Sequence, residues 1–70
     1  MDFYDKKVNA KQIIKKVIQQ QKRCEIEEVT YIIGDKFGFS RKFVEEELDI
    51  LEKRGFIKVE DTFVKWIGNK

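Results

Sequence analysis

The chain has 70 residues, 41% hydrophobic and 40% charged, with no proline, no histidine, one cysteine and a formal net charge of +2. A chain this short forms one domain with an economical core, which argues against a deep substrate cleft. A single cysteine and no histidine exclude an intramolecular disulfide, a Cys/His zinc site and both Ser-His and Cys-His nucleophile pairs.

Lys and Glu dominate the charge and isoleucine is abundant, a balance typical of hyperthermophile proteins. The longest apolar runs are three residues, as at Tyr31-Ile32-Ile33, against the roughly 20 that a spanning helix needs. Met1 to Val8 is charged and no apolar stretch follows, unlike a signal peptide. The expectation is a cytoplasmic protein that does not contact membranes and carries no metal or cofactor.

Ala10, Ile13, Ile14, Val17 and Ile18 recur at the three-and-four spacing of an amphipathic helix, with Lys11, Lys15 and Gln19 on the other side. This predicts helix 1 over about residues 9–21, with Asn9 as N-cap. Cys24-Glu25-Ile26 reads as a short extended piece able to add one rung to a small sheet. Glu27 and Glu28 favour a helix start, and Val29, Ile32, Ile33 and Phe37 supply an apolar face, so helix 2 spans about residues 27–36.

Phe37-Gly38-Phe39-Ser40 breaks the pattern: Gly38 can take the positive φ that ends a helix, and Ser40 can cap the next. Helix 3 runs over about residues 41–54 and stops at Gly55. At about 100° per residue, Phe43, Val44, Leu48, Ile50 and Leu51 share one arc, the expected core face; Lys42, Glu45, Glu46, Asp49, Glu52 and Lys53 lie opposite. Residues 56–67 are rich in β-branched and aromatic side chains around Glu60-Asp61 and read as a hairpin, with a loop longer than two residues because Glu-Asp lacks glycine. The expected core holds Val29, Ile33, Val44, Leu48, Leu51, Ile57 and Trp66. Cys24 reads as a small buried apolar residue.

The charge is unevenly placed. Residues 1–23 carry seven Lys or Arg against two Asp, and residues 24–40 one Lys against four carboxylates. Residues 41–54 carry four cations against five carboxylates, and residues 55–70 three against two.

Helix, one-rung strand, helix, turn, helix, hairpin is an α+β order. Val29 and Ile33, Gly38-Phe39-Ser40, Val44, Leu48 and Leu51, and above all Leu51-Glu52-Lys53-Arg54-Gly55-Phe56-Ile57, resemble the winged helix-turn-helix of small archaeal and viral transcription regulators of the MarR and ArsR kind. The resemblance covers almost the whole chain. It implies three helices with a small antiparallel hairpin wing, and binding of double-stranded DNA through the first turn of helix 3. Ser40, Arg41 and Lys42 match the helix end that such proteins press against DNA, and Glu45 and Glu46 match positions that reach base edges. Lys58 and Lys65 on the wing, with Lys11 and Lys15 on helix 1, complete the DNA-binding set. The resemblance also implies a homodimer, and Phe3, Tyr4, Ile14 and Trp66 are the expected interface.

Glu45, Glu46 and Asp49 depart from that pattern, since carboxylates repel phosphates and accept only from donors such as cytosine N4. They read either as a solvated helix face or as a docking surface for a basic protein partner, which makes an adaptor or complex subunit the alternative to a DNA-binding regulator. These carboxylates lie on a convex helix without an acid–base or metal-binding constellation, so an enzyme is not expected.

Overall fold

The computed structural model describes residues 3–68, with side chains from residue 5 onward. The order is α1 (Phe3–Gln21), β1 (Arg23–Glu25), α2 (Ile26–Phe37), α3 (Arg41–Lys53), β2 (Ile57–Glu60) and β3 (Phe63–Trp66). Three helices and an antiparallel hairpin are therefore present as expected, and β1 extends the hairpin into a three-stranded sheet of order β1-β3-β2.

Helix α1 begins six residues before the expected Asn9 cap, and Asn9 is an interior helical residue. Phe3 to Val8 holds no glycine or proline to stop a helix, and Asp5 in the first turn suits the positive end of the dipole. Helix α2 opens on a capping box in which the Glu25 N–H donates to Glu28 Oε1 at 3.4 Å and the Glu25 side chain turns toward the Glu28 N–H. It ends at Gly38, whose φ of 77° lets its N–H donate to the Gly34 carbonyl at 2.9 Å.

Two residues on, Ser40 Oγ accepts from the Phe43 N–H at 3.4 Å and starts α3. The rings of Phe37, Phe39 and Phe43 stack in sequence, with centroids 6.2 and 4.4 Å apart, and fix the angle between the two helices. A Cβ at Gly38 would meet nothing within 4 Å, so only backbone strain opposes a side chain there. Gly38→Ala is expected to cost about 1–2 kcal/mol, read as a lower denaturant midpoint with an unchanged slope.

The hairpin turn is Asp61-Thr62, one residue later than expected and no longer than two residues, because Glu60 pairs directly with Phe63. Asp61 takes the positive φ, 53°, that glycine would otherwise supply, a conformation Asp tolerates better than most residues. The Thr62 carbonyl then accepts from the Ile26 N–H at 2.9 Å, tying the hairpin to the start of α2. Strand β1 pairs with β3 over three positions, from Arg23 opposite Lys65 to Glu25 opposite Phe63, so Ile26 belongs to α2 and not to the strand.

The core joins Ala10, Ile14 and Ile18 of α1 to Val29 and Ile33 of α2, Val44 and Leu48 of α3, and Ile57 and Val64 of the sheet. Leu51 and Trp66 pack against it half-buried. Two α3 positions differ from the expected arc: Ile50 is 41% exposed, and Glu47 is buried at 8%. Val44, Leu48 and Leu51 centre the buried arc, and at about 100° per residue Ile50 sits roughly 125° from that centre, whereas Glu47 sits only about 65° from it. Among the described residues, no helix is long and apolar enough to cross a membrane.

Candidate functional site

The exposed face of α3 holds Arg41, Lys42, Glu45, Glu46, Asp49, Glu52 and Lys53. Arg41 Nε lies 2.9 Å from Glu45 Oε2 and Lys53 Nζ lies 3.1 Å from Asp49 Oδ2, both one helical turn apart. Arg41 is thus turned along the helix and is already paired with a carboxylate. Ser40 uses its hydroxyl to cap the helix. Of the expected DNA-contacting set at this helix end, Lys42 keeps its charge without an ion-pair partner among the described residues.

Between α3 and β2 lies a groove of about 230 Å³ lined by Ile26, Leu48, Val59, Glu45, Asp49 and Glu52. Its floor is apolar and its wall carries three carboxylates and no cation. Glu52 Oε2 accepts from the Val59 N–H at 3.1 Å, satisfying an edge donor of β2 and fixing the strand against α3. This bond was not legible in the sequence, because it joins residues whose distance depends on how the chain turns at Gly55.

The other expected DNA-contacting residues do not gather at the first turn of α3. Lys11 reaches across from α1 to the buried Glu47, with Nζ 3.8 Å from Oε2. Lys15 is half-buried, not on an open face, and its ammonium stands 4.1 Å from the Phe56 ring centroid. Lys58 and Lys65 face each other across β2 and β3, and Arg23 stands opposite Lys65 on β1. All three are exposed, and Arg23 covers the Phe63 ring at 3.9 Å.

Like charges directly opposite in a sheet are destabilising. Lys65→Gln is therefore expected to raise the melting temperature at low salt by about 2–5 °C, a gain that fades at high salt. A melting temperature unchanged at low salt would show that the row carries no strain.

Of the expected dimer contacts, the side chains of Phe3 and Tyr4 lie outside the described residues. Ile14 is wholly inside the core and offers no surface to a partner. Trp66 is half-buried and stacks on Phe56 with centroids 5.7 Å apart. Cys24 is buried, and that burial pushes its thiol above the usual range, with the Glu28 and Glu25 carboxylates adding to the effect. Such a thiol is inert at neutral pH.

No family model matches the sequence, and no curated protein matches it. Among solved structures, the chain is similar to one in "A Dual E3 Mechanism for Rub1 Ligation to Cdc53: Dcn1(P)-Cdc53(WHB)", with a TM-score of 0.72 over 93% of this chain and 83% of that one. That neighbour is the winged-helix B domain of Cdc53. The fold is a winged helix. At 11% sequence identity the likeness concerns the fold and not the activity.

Proposed function

We propose that this winged helix is a protein-interaction module, a subunit or adaptor that docks a basic partner segment in the groove between α3 and β2. The carrying observation is the groove itself: Glu45, Asp49 and Glu52 ring a floor of Ile26, Leu48 and Val59. An apolar side chain of the partner fills the floor, and Lys or Arg on either side meets the carboxylates. The cations now paired with Glu45 and Asp49 are exposed, and such pairs on a helix are worth only about 0.3–0.5 kcal/mol each. A partner displaces them at little cost. The similar structure, in which a winged-helix domain appears in a complex with another protein, supports the same reading.

Duplex DNA suits this surface less well. Its phosphates would meet Glu45, Glu46 and Asp49, with Arg41 already bound to one of them, whereas DNA-binding surfaces concentrate cations. The test is fluorescence anisotropy of a labelled amphipathic peptide of Lys and Leu, with the full chain as titrant. The expected result is saturable binding that weakens with salt and with Asp49→Asn. Absence of binding, together with DNA binding that depends on Arg41 and Lys42, would overturn the proposal in favour of a DNA-binding regulator.

A further inference from the structure

The opposite flank of α3 forms a second cleft, against α1, of about 180 Å³. Lys11 and Lys15 approach it from α1, Glu47 and Ile50 from α3 and Arg54 from the C-cap of that helix, and Phe56 lines it as well. The lining therefore holds three cations and one carboxylate. Glu47 is that carboxylate, and its side chain, 10% exposed, is engaged with Lys11. Neither Lys15 nor Arg54 has an ion-pair partner among the described residues.

Ile50 is the second unusual feature. It is 41% exposed in a chain whose other α3 aliphatic residues are buried or half-buried. It stands one helical turn before Arg54, so an apolar contact and a cation lie in line along the seam. Phe56 bounds the seam, its ring stacked on Trp66 and covered by the Lys15 ammonium.

From this juxtaposition we infer that the α1–α3 cleft docks an acidic protein segment carrying an apolar side chain. The apolar group covers Ile50 beside Phe56, and flanking Asp or Glu side chains meet Lys15 and Arg54. Charge complementarity selects the acidic partner, and an apolar anchor with Arg beside it is the composition of interface centres. A phosphate chain fits less well, because its affinity comes from released counterions, and here it would cover Ile50 and approach Glu47. The inference is independent of the α3–β2 groove, since the two sites share no lining residue. Together they make α3 a divider between a basic partner on one side and an acidic one on the other.

Trp66, the only tryptophan, touches Phe56 and reports on the cleft. The test is a titration of the full chain with an amphipathic peptide of Glu and Leu, followed by Trp66 emission, with circular dichroism confirming the fold of each variant. The expected result is a saturable change in emission. Ile50→Ser should weaken binding about tenfold through lost apolar burial, and Arg54→Gln about threefold. Lys36→Gln, in the last turn of α2 and outside the lining of the cleft, should leave affinity unchanged. No saturable binding, or binding indifferent to both Ile50→Ser and Arg54→Gln, would overturn the inference. So would duplex DNA competing with the peptide at equal charge while ignoring Ile50→Ser.

Discussion

Leu48→Ala is expected to bring the chain close to unfolding, whereas Ile50→Ala, two residues along the same helix, should leave stability almost unchanged. Leu48 is 2% exposed at the centre of the core, while Ile50 is 41% exposed at the mouth of the α1–α3 cleft. Truncating a buried leucine costs about 2–5 kcal/mol in lost transfer energy and residual cavity. A domain of this length has a total stability of roughly 4–10 kcal/mol. The loss therefore consumes a large part of the whole and should lower the melting temperature by about 10–25 °C. Ile50→Ala removes a side chain that leans on solvent, and its effect should stay within about 0.5 kcal/mol. Thermal melts of the two variants would decide the matter. Equal losses would mean that both side chains lie in the core, as the expected apolar arc of α3 had them.

The second large effect concerns binding. Replacing Glu45 and Asp49 together by lysine places two cations in the wall of the α3–β2 groove. A basic partner should then lose about 100-fold in affinity, since each reversal turns an attraction at the groove into a repulsion. The fold should survive, because both residues are exposed. The helix loses its Arg41–Glu45 and Lys53–Asp49 pairs and gains like-charge neighbours, worth only a few tenths of a kcal/mol each. Titration of the labelled Lys–Leu peptide with the double variant measures the effect. An affinity within about twofold of the original would place the partner elsewhere.

The helical framework was legible where a local signal was chemically specific. Gly38 and Ser40 end one helix and start the next through a positive φ and a hydroxyl cap, and both act within their own few residues. Gly55 does the same after α3. The first turns of α1 escaped because apolar periodicity begins only at Ala10, while nothing before it prevents a helix. The hairpin turn was displaced by one residue because Asp61, and not a glycine, takes the left-handed conformation.

The surfaces were less legible, for a physical reason. The Arg41–Glu45 pair follows from spacing along one helix, so it could have been read from the sequence. The buried Glu47 could also have been found, since it falls within the apolar arc of α3. Other features depend on tertiary placement. Glu52 meets Val59 only because β2 returns alongside α3, and Lys15 covers Phe56 only because α1 crosses there. The row of Arg23, Lys65 and Lys58 exists only in the observed strand register. Basic residues assigned to one DNA-contacting set are thereby divided among three surfaces.

Backbone amide resonances followed while adding either the Lys–Leu peptide or duplex DNA distinguish a protein-docking groove on α3 from a DNA-reading face. With the peptide, saturable shifts are expected at Glu45, Asp49, Glu52 and Val59, the residues around the groove. With DNA, the resonances of Arg41, Lys42 and Glu45 are expected to stay in place. Saturable shifts of those three amides with DNA, and none around the groove with the peptide, would contradict the docking groove.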